Sequence, residues 1–401
     1  MNVAECVRRG RRAITVVLFI GIRPIVMTSQ HTYRTVDLNG TRYDGLRSLL
    51  AFGVISFHFF GVTALIYEGT LDYFRVSKVV QQLGVWTVPM FFSITAYLFG
   101  GRLIQENNQS GRAVVRFLVG RVFRLVPTTV ILITFVMVFL NRSKYSLETW
   151  STYVNAATSS ILHPVAGPPS FVNSSDWMVL TGPMWTLHYE WMFYFVLGGM
   201  PLLTLRRRNV IVSIVVIAFV LVCVPDIANI VTKWDVTWAF VPGLLLGVTR
   251  SLWSCLPQLK QPYVGVMAVV FCGFSVVVGS IYLQVLANTL FLAVILSRNP
   301  MTRVLESKVL RSLGEATYSM YLYHGLVQYI VYKWIFTIPI ARSLPEWIWW
   351  ITCSVEVAVI VIIGRLSYEY VEKPGIELGK RCYVALFALV ERKATWLRMW
   401  I

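Results

Sequence analysis

Histidine, clustered cysteine and charge are scarce in this sequence, and each shortage excludes something. Five histidines are spread over 401 residues, and no HxxxH or HExxH pattern occurs, so the common helical zinc sites are absent from the sequence. The six cysteines, Cys6, Cys223, Cys255, Cys272, Cys353 and Cys382, are scattered, mostly inside apolar runs, with neither metal-ligand spacing nor a disulfide framework. No bound metal or cofactor is expected. Charged residues make up 14% of the chain against 56% hydrophobic, and no stretch is long and polar enough to form a second soluble domain. A formal net charge of +17 would suggest nucleic acid for a soluble protein. Here the basic residues lie between apolar runs, the arrangement of loops held at an anionic membrane surface, and no nucleic-acid partner is expected.

What is present is a series of apolar segments, at 42–66, 83–100, 113–140, 184–203, 209–225, 236–250, 262–279, 280–297, 316–338 and 346–370. They predict an all-α polytopic membrane protein of about ten transmembrane helices. The division between 262 and 297 rests on Gly279-Ser280 alone. Loop charge supports the count. The N-terminal segment, the stretch holding Arg102, Arg112, Arg116, Arg121 and Arg124, the Arg206-Arg207-Arg208 run, Arg250 with Lys260, and Arg298 to Arg311 are basic and alternate with near-neutral loops. By the positive-inside rule both termini are cytoplasmic.

Three regions flank or interrupt this body. Residues 1–41 read as a basic leader, interfacial or disordered, without a convincing signal-peptide cleavage site. The loop 141–182, rich in proline and glycine around His163, reads as a lid or vestibule wall. Glu372-Lys373-Pro374 reads as a helix stop, followed by a basic amphipathic tail, 375–401, lying on the inner leaflet.

The chemistry concentrates in a few ionisable residues inside or beside apolar runs. Arg42-Tyr43-Asp44-Gly45-Leu46-Arg47 leads directly into the first run, which contains His58. Arg47 and His58 are eleven residues apart. At about 100° per residue that is close to three whole turns, so both project from one face with roughly 16 Å of rise between them. Arg47 is expected at the membrane surface and His58 near the bilayer middle. Two readings stand for His58: a functional group facing a cavity, or a packed histidine bonded to a neighbouring helix. Asp44, three residues before Arg47, can hold the guanidinium or simply favour the helix start. Arg121 and Arg124, three apart on one helix face, suit phosphate clamping and equally suit positive-inside anchoring. Glu190, within an apolar span, requires a basic partner or a substrate hydroxyl. His324 is again intramembrane, with helix-to-helix hydrogen bonding the plainer role.

The stretches RYDGLRSLLAFGVISFH, PMFFSITAYL, FLVGRVFRLVP, PMWTLHYEWMFY, ATYSMYLYH and YEYVEKP, in that order over 42–374, resemble those of the acyltransferase 3 family. Its members are integral membrane enzymes that move acetyl or other acyl groups from acyl-CoA to sugars and other hydroxylated acceptors. On that resemblance His58 takes the place of the essential histidine and Arg47 that of its partner arginine. Arg121 and Arg124 match the pair associated with the acyl donor, and Glu190 matches the acid of the tryptophan-to-glutamate segment. Pro89, Ala96 and Trp191 depart from the usual residues.

The implied activity is O-acetyl transfer from acetyl-CoA to a sugar hydroxyl of an exported polysaccharide or its lipid-linked precursor, in the cell membrane. Catalysis would fall to His58 and Glu190, and substrate binding to Asp44, Arg47, Arg121, Arg124 and His324. His58 would act as general base or as a transient acyl carrier. A small metabolite or glycolipid as acceptor, a secondary transporter, and a non-catalytic membrane scaffold are the rival readings. Against the transporter, no internal repeat with matching broken segments is visible.

Overall fold

In hydrocarbon every backbone N–H and C=O has to be bonded within the segment, which favours helix. The computed structural model describes residues 41–68, 78–100, 111–140, 185–203, 239–253, 256–335, 343 and 345–398, and among them there are helices, turns and no strand. The leader up to residue 40, the 141–182 loop with His163, and the 209–225 segment lie outside the described residues.

The chain divides into two compact units, Met1–Gly53 with Lys78–Asn107 and Thr204–Gly314, and Val54–Ser77 with Asn108–Leu203 and Glu315–Ile401. The first unit contains the start of α1 (Thr41–Glu68), then α2 (Lys78–Thr95) with the π turn Ala96–Gly100. It continues with α5 (Phe240–Val248), α6 (Pro262–Val278) and α7 (Ile281–Leu296). Its core gathers Tyr43, Leu46 and Leu50 of α1, Met90 and Ile94 of α2, Leu292 of α7 and Leu305. α6 and α7 separate at Gly279, whose φ of 74° lies in the left-handed region open to glycine. The break expected at Gly279-Ser280 is therefore a glycine C-cap. After α7 the chain bends by 85° into the 3₁₀ segment Pro300–Glu306. Arg42 ties that segment to α1, donating to Glu306 at 2.5 Å and to Thr302 at 2.8 Å.

The first unit also holds α8 (Lys308–Glu315) up to Gly314, and the second is built on α3 (Gly111–Leu140), α4 (Trp185–Leu203), α9 (Thr317–Ile330), α10 (Glu346–Ser367) and α11 (Lys373–Arg398). Phe59 from α1 packs with Trp349 and Cys353 of α10. The helix stop expected at Pro374 does not occur. α10 passes through the π turn Tyr368–Glu372 directly into α11. Pro374 sits in the first turn of α11, where its missing N–H is least harmful, and the wider π turn before it absorbs the mismatch.

α11 lies against α3 through small residues. Gly375 and Gly379, four apart on one face, both meet Phe123. A Cβ on Gly375 would stand 2.5 Å from the Phe123 carbonyl oxygen, and one on Gly379 would stand 2.7 Å from the Phe123 Cβ. Farther along, the Arg116 guanidinium lies over Tyr383, 5.9 Å from the ring centroid. This is the small-xxx-small contact through which helix backbones approach closely in lipid.

Two stretches among the described residues are long and apolar enough to cross a membrane, Val114–Phe135 and Trp347–Ala388. Ile281–Leu296 with Pro300–Glu306 would be a third if the bent pair is one span. The second stretch is 42 residues long, about twice the 20 or so that a bilayer core requires. Part of it must extend past the hydrocarbon.

Close approach at the α3–α11 contact predicts that Gly375→Ala lowers the melting temperature of the solubilised protein, with an overpacking cost of about 1–3 kcal/mol. Gly120→Ala on α3, where an added Cβ meets nothing within 4 Å, should instead be neutral or raise it, by up to about 1 kcal/mol of helix propensity. Thermal unfolding of both variants in one detergent checks the pair.

Candidate active site

α9 organises the polar residues of the second unit. Tyr318, Tyr321 and His324 recur at three-residue intervals and so share one side of the helix. Tyr318 donates to the Leu125 carbonyl at 2.9 Å and lies 2.8 Å from the Thr129 hydroxyl, which locks α9 to α3. Tyr321 lies 3.1 Å, hydroxyl to hydroxyl, from Thr186 of α4. His324, wholly buried, places Nδ1 2.5 Å from the Tyr321 carbonyl oxygen.

The arginine pair lies beside this face. Arg124 donates from Nε to Glu372 Oε1 at 2.8 Å, and Ser319 of α9 donates to the other carboxylate oxygen at 3.1 Å. Glu372 is fully buried, and the Arg124 side chain keeps 22% of its surface accessible. The Arg121 guanidinium lies 5.8 Å from the Tyr194 ring centroid and 5.9 Å from that of Phe117. The Tyr194 hydroxyl donates to Glu190, one turn earlier on α4, and the charge of Glu190 acts on both arginines. Two guanidiniums and two carboxylates thus form one compensated cluster, with a guanidinium's capacity for bidentate binding of anions.

His58, half-buried on α1, meets His324 with ring centroids 5.0 Å apart and planes tilted by 39°. Phe57 packs on its other side at 5.1 Å. The structure therefore brings together Arg121, Arg124 and Glu190 in one group, and His58 and His324 in another. Tyr321 links the groups: its ring is 5.6 Å from His324, and its hydroxyl meets Thr186 of α4, the helix that carries Glu190. Asp44 and Arg47 belong to the first unit and pair with each other at 3.6 Å. α1 runs unbroken from these residues past His58, so the eleven-residue spacing is helical throughout.

Three residues were not singled out from the sequence as functional. Glu372, read there as part of a helix stop, is the acid that holds Arg124. Glu356 lies in the middle of α10, 2% exposed, with neither carboxylate oxygen hydrogen-bonded among the described residues. An isolated acid in the last apolar run was a readable signal for it. Tyr194, four residues after Glu190, was readable from helical spacing. No group of three or more His, Cys, Asp or Glu among the described residues could hold a metal ion.

A family model described as an acyltransferase domain matches residues 41–365, from the start of α1 into the last turn of α10. The chain belongs to the acyltransferase 3 family. Comparisons with curated proteins and with solved structures returned no match. Membership makes the protein a membrane acyltransferase in general terms, and the arginine cluster and the imidazole pair both lie within or against the matched region.

The two buried acids respond oppositely to removal. Glu372→Leu strands Arg124 and should destabilise the protein by roughly 3–5 kcal/mol, whereas Arg124→Met with Glu372→Leu should recover much of that loss. Glu356→Leu removes a carboxyl group without a hydrogen-bond partner among the described residues and should raise the melting temperature, for a gain of about 1–3 kcal/mol. Melting temperatures of the four proteins, including the parent, check both statements.

Proposed function

We propose that the protein is a membrane-bound O-acyltransferase that moves an acetyl group from acetyl-CoA to a hydroxyl of a sugar in an exported polysaccharide or its lipid-linked precursor. It crosses the cell membrane about ten times with both termini in the cytoplasm. The observation that carries the reading is the half-buried His58 imidazole held against His324 inside the matched acyltransferase domain. A neutral imidazole can accept a proton from an attacking hydroxyl.

Acetyl-CoA enters from the cytoplasm with its phosphates on Arg121 and Arg124, and its pantetheine arm extends toward His58. The acceptor oxygen attacks the thioester carbonyl carbon as His58 takes the hydroxyl proton. A C–O bond forms, the C–S bond breaks with its electrons on sulfur, and the proton passes to the departing thiolate. Glu190 remains assigned to catalysis beside His58, and it accepts from Tyr194, whose ring the Arg121 guanidinium faces. Asp44 and Arg47 remain assigned to substrate binding.

Membranes carrying the protein, supplied with labelled acetyl-CoA, should transfer label to a glycan or lipid fraction. Membranes with equal amounts of folded His58→Ala should transfer none. Equal labelling in both would remove His58 from the mechanism, and label in the lipid fraction alone would replace the polymer with a lipid-borne acceptor.

A further inference from the structure

The two nitrogens of His324 have different surroundings. Nδ1 is 2.5 Å from the Tyr321 carbonyl oxygen, and a carbonyl only accepts, so Nδ1 carries the proton. Nε2 is then a lone pair, and it is buried without a hydrogen-bond partner among the described residues. A buried acceptor left unpaired is costly and calls for an explanation. The ring facing it is His58, at a centroid separation of 5.0 Å. Two imidazoles joined nitrogen to nitrogen at an ordinary distance of about 2.9 Å also have centroids about 5 Å apart. The centroid spacing is that of a hydrogen-bonded dyad, but no bond joins the rings as they stand, with planes tilted by 39°, and forming one takes a ring rotation. The last torsion of histidine is broad, so that rotation is soft.

The charged groups on the surrounding helices are otherwise engaged or lie off the pair. Glu190 on α4 receives Tyr194, and Glu372 receives Arg124 and Ser319. The Tyr321 hydroxyl is bonded to Thr186. Glu356 and Cys353 lie on α10, and among the described residues neither makes a hydrogen bond with either imidazole. Among the described residues no carboxylate is hydrogen-bonded to either imidazole, where a catalytic histidine often has its orienting acid.

We propose that His324 is the positioning residue of His58, with Nε2 accepting one ring N–H of His58 so that the other His58 nitrogen faces the acceptor hydroxyl as base. This rests on the acyltransferase reading of His58 given above. During transfer the hydroxyl proton moves to His58, the acceptor oxygen bonds to the acyl carbon, and the C–S electron pair goes to the CoA sulfur, which then takes the proton from His58. His324 gains and loses nothing in the cycle. It fixes the tautomer of His58 and spreads the charge of the transient imidazolium, the service that a carboxylate gives elsewhere. A neutral acceptor does this without adding a negative charge in the membrane, where a buried charge is expensive.

The test is nitrogen NMR on the full chain in nanodiscs, labelled at its five histidines and assigned by substitution. The expected result is a His324 protonated at Nδ1 and bare at Nε2, with His58 and His324 titrating as a coupled pair that takes up one proton. In His324→Gln, His58 should titrate as a single uncoupled group. The rate of acetyl transfer at saturating acetyl-CoA should fall by about tenfold or more, with KM for acetyl-CoA within about twofold. His58→Gln reads the coupling from the other ring, should His324→Gln fail to fold. An unchanged His58 titration in His324→Gln, or an unchanged His324 titration in His58→Gln, overturns the pair. Coupling in a parent protein that transfers no acetyl group overturns the catalytic role and the acyltransferase reading with it, while leaving the dyad as a structural fact.

Discussion

Between helices surrounded by lipid, apolar side chains gain little by meeting one another, because the lipid tails are as apolar as they are. Orientation then depends on the few polar contacts that have no alternative partner. In the second unit that contact is Glu372, whose fully buried carboxylate receives Arg124 from α3 and Ser319 from α9. It fixes the rotation of α9 about its own axis. With Ser319 turned to Glu372, Tyr318 reaches the α3 backbone, Tyr321 reaches α4, and His324 reaches His58. A different rotation would leave these groups facing hydrocarbon, each at a cost of several kcal/mol. α9 consequently touches both the arginine cluster, through Ser319, and the imidazole pair, through His324.

Much of the helical layout was legible as hydropathy and punctuation. The break at Gly279 was visible because glycine is suited to the left-handed position that ends α6. Pro374 was misleading for a definite reason: proline forbids a helix only where a backbone N–H is needed, and the preceding π turn places it where none is. Nothing in the local pattern announces a π turn.

The site was legible as residue types and illegible as partnerships. His58, Glu190 and the arginines stand out because each is ionisable within or beside an apolar run. That Glu372 closes on Arg124 depends on a contact between residues 248 apart in the chain, and no spacing rule spans such a separation. The meeting of His58 with His324 is likewise a tertiary event. Glu356 shows the converse: its anomaly is plain in the sequence, yet its lack of a hydrogen-bond partner among the described residues appears only in the packed structure.

The recognised acyltransferase domain ends at residue 365, but the physical body does not. Glu372, Gly375 and Gly379, which grip α3, all lie beyond that boundary. Family resemblance and folding unit are thus different objects here. In any chimera that exchanges acyltransferase domains at the similarity boundary, Arg124 would inherit a foreign C-terminal helix. Whether such a hybrid assembles would turn on whether the donor brings an acid and two small residues at matching positions, not on the likeness of the domains themselves.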